Sequence, residues 1–155
     1  TPMNFQYLGL LAEVFPNAKF IHCSRLPMDN CFSIFKLAFA DDQDFAHDLQ
    51  SLGHHYRLYK GFMDQWKAMY PQRILDVHYE DTVEDIETQC VRLVEFLGLA
   101  FEPKMLEFYS TERLVRTPSA SQVRKPIYKS SVQAWKKYEQ HLQTLVEALG
   151  DELTL

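Results

Sequence analysis

Two short β-favouring runs, residues 19–23 (KFIHC) and 73–79 (RILDVHY), are separated by a long stretch of helical periodicity. This spacing constrains the fold more than any other feature. Two strands so far apart, with helices between them, belong to an α/β layer arrangement rather than to a hairpin. Residues 4–15 carry apolar side chains at helical spacing (Phe5, Leu8, Ala12, Phe15), and Pro16-Asn17 stops them. A second helix starts at Pro27, where a missing N–H costs nothing, and is expected to run to about Phe39. The acidic connection 41–44 (DDQD) is expected to cap a third helix, 46–70, whose stripe is Leu49, Leu52, Tyr56, Tyr59, Met63 and Trp66. Pro71 ends it. Further helices are expected over 85–97, closed by Gly98, and over 103–109. A last helix, 132–149, is expected to be capped by Ser130 or Ser131 and ended by Gly150. Residues 110–129 lack periodicity, contain two prolines and read as a functional loop. Two strands alone make a poor sheet, so further strands are expected from outside this chain.

Composition narrows the function. A chain of 155 residues with 46% apolar residues buries a real core as one domain. The net charge of −5 argues against general nucleic-acid binding, though it allows a local basic pocket for a small anion. Three cysteines, Cys23, Cys31 and Cys90, fit no zinc pattern and are expected to be reduced and at least partly buried. That favours a reducing compartment, and a cytoplasmic location is the expectation. No apolar run approaches the ~20 residues of a membrane span, and the first residues, TPMN, show no signal-peptide pattern. The absence of an initiator Met suggests a start inside a longer protein.

The most informative stretch is FIHCSRLPMDNCFS, residues 20–33. A strand ends and a helix begins within a few residues, so backbone N–H groups and the helix dipole face whatever lies beyond the strand. Arg25 stands at the junction with a guanidinium that can fork onto phosphate oxygens. Ser33 lies two turns on, a rise of about 11 Å, on the face where the helix starts. Two readings fit the spacing: an arginine and a hydroxyl meeting on one phosphate, or an arginine paired to a carboxylate with an ordinary helical serine. Tyr79, at the end of the second run, offers a ring to pack and a hydroxyl to bond, or is a core residue. Glu80 and Asp81 are expected to cap the helix that follows.

These segments resemble the sulfotransferase family. The stretch FPNAKFIHCSRLPMDNCFS is similar to the segment that binds the 3′-phosphate of the donor 3′-phosphoadenosine 5′-phosphosulfate. HYED, residues 78–81, resembles the Tyr-Glu-Asp motif at the adenine, and SASQVRKPIY, residues 119–128, resembles the loop that closes over the donor. The similarity is nearest to the tyrosylprotein-type and the bacterial tetratricopeptide-repeat-linked enzymes. It implies the C-terminal portion of a P-loop-type three-layer α/β sulfotransferase domain spanning residues 1–155. It assigns the 3′-phosphate to Arg25 and Ser33, the adenine to Tyr79, the transferring sulfuryl group to Ser119, and the closing loop to Gln122, Val123, Arg124, Lys125 and Tyr128. It calls for no metal and for a hydroxyl acceptor on a protein, carbohydrate, lipid or small molecule. The 5′-phosphosulfate loop and the catalytic base are expected upstream of Thr1, so this chain alone is expected to be inactive. Trp135 matches a recurring tryptophan. Ala134 and Leu37 stand where relatives carry a lysine and an arginine, and Arg124-Lys125-Pro126 replaces the Arg-Lys-Gly of cytosolic members.

Other readings are weaker. A different P-loop-type phosphotransferase or nucleoside kinase would have no reason to read a 3′-phosphate. A non-enzymatic helical interaction module would show no anion site. His47, His54, His55 and Asp48 share a helix without completing a metal set. His22, Ser24 and Asp29 are set aside as a catalytic triad because neighbouring strand residues alternate faces.

Overall fold

The computed structural model describes residues 2–37, 43–110 and 123–153. The chain is mostly helical around a small parallel sheet of two strands, β1 (Phe20–Ser24) and β2 (Ile74–His78), paired from Phe20↔Ile74 to Ser24↔His78. A 3₁₀ segment Pro2–Tyr7 leads into α1 (Leu8–Val14), where a single helix 4–15 was expected. Arg73, the residue before β2, explains how α1 stops. Its guanidinium donates to the carbonyls of Ala12, Phe15 and Ala18, which the helix end would otherwise leave unsatisfied.

After β1, α2 (Pro27–Lys36) begins with proline in its first turn. A short 3₁₀ turn, Asp44–His47, precedes α3 (Leu49–Met69). The cap of α3 is Asp48, whose carboxylate accepts from the Ser51 N–H at 2.7 Å, and not the acidic run before it. Beyond β2, α4 (Tyr79–Glu84) follows directly, an element that the sequence reading missed by folding it into the strand end. Then comes α5 (Ile86–Leu97), capped by Asp85 and closed by Gly98 in the left-handed region. A 3₁₀ segment, Pro103–Ser110, lies where a short helix was expected.

The last stretch departs most from expectation. A 3₁₀ segment Ala134–His141 and α6 (Gln143–Leu149) replace the single helix 132–149. Gln133 takes a left-handed conformation (φ 56°) and donates its N–H to the buried Asp29 carboxylate at 2.6 Å. That bond fixes the chain where a serine-capped α-helix would have started.

The main core joins α2, α3 and α6 through Met28, Cys31, Phe32, Leu52, Tyr56 and Leu145, with Trp135 packed against it. A second cluster joins Phe5 and Leu8 to Met63 and Ile74. All three cysteines are free. Cys31 is buried and Cys90 half-buried, but Cys23 is exposed, because its side of β1 has no covering strand. Among the described residues no helix is long and apolar enough to cross a membrane.

Helices α3 and α6 touch most closely at Gly53, where an added Cβ would stand 2.5 Å from the Ala148 Cβ. Gly53→Ala is therefore expected to destabilise the chain by about 1–3 kcal/mol despite alanine's helix propensity. Urea unfolding of the two proteins measures it, and equal midpoints would contradict this close approach.

Candidate functional site

The register Ser24↔His78 brings Arg25 and Tyr79 out of the sheet side by side, each one residue past a strand end. The Arg25 guanidinium lies over the Tyr79 ring, 4.8 Å from its centroid. Behind them the last rung is itself bonded, with Ser24 Oγ and His78 Nδ1 2.7 Å apart.

Arg25 is held from three directions. One terminal nitrogen donates to the Ser131 carbonyl and lies 3.7 Å from Asp29 Oδ1, and the Tyr79 ring covers its plane. Its Nε is buried without a hydrogen-bond partner, as are Asp29 Oδ1 and Glu80 Oε2. Three orphaned polar atoms converging on one arginine mark a place where a water or a ligand completes the bonding. The Asp29 side chain is fully buried and ties α2 to the Gln133 backbone. Glu80 does not cap the helix after it, as the sequence suggested. Its carboxylate accepts from the Leu26 N–H at 3.1 Å and so rests on the start of α2.

A cleft of about 190 Å³ opens beside this pair, lined by Tyr79, Val83, Phe108, Val123, Lys125 and Tyr128. Four of the residues singled out by sequence thus share one pocket. Its size is below the ~300 Å³ at which drug-sized pockets begin, which suits one ring system rather than a whole nucleotide. Ser33 sits half-buried in the second turn of α2, and among the described residues Arg25 makes no recorded bond to it. Arg124 is exposed. Ser119 and Gln122 lie outside the described residues. Lys36, which stands beside the position of a family arginine, is drawn over the Phe32 ring instead.

The sequence reading overlooked a second polar cluster. His22 Nδ1 lies 2.5 Å from Asp76 Oδ1 on the facing strand, and its Nε2 bonds the Tyr59 hydroxyl of α3. Lys67 of α3 donates to the other Asp76 oxygen at 3.1 Å. The signal was available, since His22 and Asp76 occupy the same place in FIHCS and ILDVH. The alternation argument against a triad also needs correction. His22 and Ser24 are two apart and share a face, but they bond Asp76 and His78 respectively while Asp29 serves Gln133. His55 stacks on Phe45 with ring centroids 3.8 Å apart, and among the described residues no group of three acidic, histidine or cysteine side chains could hold a metal.

Burial lowers the His22 pKa below its ordinary 6.5, against the opposing pull of Asp76. Burial also pushes Asp76 up, but the hydrogen bonds from His22 and Lys67 outweigh it and hold the carboxyl below the usual range. Burial pushes the Tyr59 hydroxyl up to about 12. The cluster is therefore a neutral imidazole donating Nδ1–H to a carboxylate and accepting from the tyrosine hydroxyl.

A family model described as Sulfotransferase family matches residues 1–103, the segment that holds both strands, Arg25, Ser33 and Tyr79. A protein of Aquifex aeolicus (strain VF5) described as uncharacterized is 39% identical over 153 residues, which is 97% of this chain and 20% of that protein. The chain spans about a fifth of the length of this relative.

Because the folded His22 pKa is lowered, the unfolded chain takes up that proton first. Stability from this group is full above pH 6.5 and falls as the pH drops towards the folded value. Buried His55 adds a contribution of the same sign. Melting temperature is expected to decline from pH 7 to pH 5, and His22→Asn is expected to flatten that slope, by at most about 1.4 kcal/mol per pH unit. Parallel slopes in the two proteins would rule out His22 as the source.

Proposed function

This chain belongs to the sulfotransferase family, and from that premise we propose that it holds the 3′-phosphate and adenine of 3′-phosphoadenosine 5′-phosphosulfate for sulfuryl transfer to a hydroxyl acceptor. The observation that carries the reading is the Arg25–Tyr79 pair at the ends of two parallel strands, beside the cleft that also takes in Val123, Lys125 and Tyr128. Arginine carries five N–H donors. Arg25 uses one on Ser131, and its buried Nε is left for a phosphate oxygen. Tyr79, already flanked by the guanidinium, borders a pocket of the right scale for a purine. Lys125 at the rim offsets phosphate charge, with Arg124 next to it in the chain.

In this reading Ser33 adds a hydroxyl to the 3′-phosphate, Gln122 joins the closing loop, and Ser119 stabilises the transferring group. The S–O bond to the 5′-phosphate breaks as one to the acceptor oxygen forms, so positive charge near the leaving phosphate lowers the barrier. The same reading places the chain in a P-loop-type three-layer domain of the tyrosylprotein or tetratricopeptide-repeat-linked kind. A protein, carbohydrate, lipid or small molecule supplies the acceptor hydroxyl.

Calorimetric titration with 3′-phosphoadenosine 5′-phosphate, with 5′-AMP as control, tests the proposal. The 3′-phosphorylated compound is expected to bind at least tenfold more tightly. Arg25→Ala should weaken it by about thirtyfold or more, the cost of ~2 kcal/mol or more for a lost charge-assisted pair. Tyr79→Ala should weaken both nucleotides alike, by about tenfold, as loss of a stacking face does. Equal affinity for the two nucleotides would favour a phosphotransferase that ignores the 3′ position.

A further inference from the structure

β1 is paired along one side. The Phe20 N–H donates to the Arg73 carbonyl at 2.7 Å, so Phe20, His22 and Ser24 direct their backbone groups towards β2. Alternate residues of a parallel strand address opposite neighbours, and so Ile21 and Cys23 direct theirs away from β2. Both side chains are exposed, Ile21 at 40%. A groove of about 410 Å³ follows this side. Consecutive residues 19–23 form its floor, and Phe5, Leu8, Leu11, Tyr59 and Met63 form its walls. A strand backbone beneath apolar walls is what an added strand needs, with main-chain bonds below and side-chain pockets beside.

The helical segment before β1 fixes which strand fits. Residues 2–14 lie on the same face of the sheet as α3. Phe5 and Leu8 meet Met63 and Ile74, and the Trp66 indole N–H donates to the Phe5 carbonyl at 2.8 Å. On that face, too, α3 carries the chain from β1 to β2. Crossovers between parallel strands are right-handed in about 98% of cases. A strand feeding residues 2–14 on this face, and then β1, keeps that hand only if it lies on the side of β1 away from β2. A strand beyond β2 would require the connecting helix on the opposite face.

We propose that the open side of β1 docks one occupant: an extended apolar segment of the same polypeptide, N-terminal to residue 1, added in parallel as a third strand with β1 at the centre. Three physical facts support this occupant over a free partner. An isolated pair of strands is marginal, parallel sheets are buried ones, and an open edge left in solution invites aggregation. The relative described above is long enough to supply such a segment, since this chain spans 20% of it. The inference does not depend on the nucleotide reading.

Amide hydrogen exchange on the full-length polypeptide tests it, with the β2-facing amides as internal standard. Ile21 and Cys23 are expected to exchange within about tenfold of Phe20 and His22, and to show cross-strand contacts to residues preceding residue 1. Exchange at Ile21 and Cys23 a hundredfold faster than at His22 would overturn the proposal. So would protection that grows with protein concentration, or contacts seen only between differently labelled copies, since either gives the edge to a second molecule. Ile21→Pro, which deletes an N–H that an edge strand can spare but a central strand cannot, is expected to lower the melting temperature of the full-length polypeptide. An unchanged melting temperature would count against a third strand.

Discussion

The pairing register of β1 and β2 is the constraint on which the rest depends. A slip of one residue would send every side chain of a strand to the opposite face. Here it would separate Arg25 from Tyr79 and break both polar rungs behind them. The rungs resist such a slip. Apolar pairs such as Phe20–Ile74 tolerate displacement, whereas the His22–Asp76 and Ser24–His78 bonds exist in one register only. Buried polar groups left unpaired by a shift would each lose a desolvation penalty's worth of stability. Tyr59 and Lys67 extend the same logic to α3, which cannot slide along the sheet without leaving His22 or Asp76 unsatisfied.

A second constraint builds the site from the far end of the chain. Asp29 sits fully buried in the first turn of α2 and binds the backbone at Gln133, while Arg25 binds the carbonyl at Ser131. Breaking a buried ionic contact by removing one partner is costly. These bonds therefore hold the segment after residue 123 against the strand ends, where Val123, Lys125 and Tyr128 close a cleft on Tyr79. Glu80 complements this by resting its carboxylate on the start of α2, which couples the end of β2 to the helix that follows β1.

Much of this was legible in the residues. The two strands, the long helix with its Leu52–Tyr56–Met63 face and the Gly98 stop follow from periodicity and from residues with distinctive backbone preferences. The junction at Arg25 and the ring at Tyr79 stood out because a strand ending at a charged or aromatic residue is a local pattern. What stayed hidden involved pairs distant in sequence. Asp29 with Gln133, Glu80 with Leu26, and His22 with Asp76 and Tyr59 are each unremarkable until the strands align. The split of the last helix belongs with them, since its cause is a carboxylate more than a hundred residues earlier.

The sequence by itself determined the element types, the strand–helix junction and the residues able to grip an anion, because these depend on side-chain chemistry and on spacings within a few turns. Only the tertiary structure decided which of those residues meet. It set Arg25 against Tyr79, gathered the late loop around that ring, placed α1 and α3 on one face and left one side of β1 open. The physical reason is that such contacts arise from register and packing between distant segments, where the free energy depends on partners that local pattern cannot name.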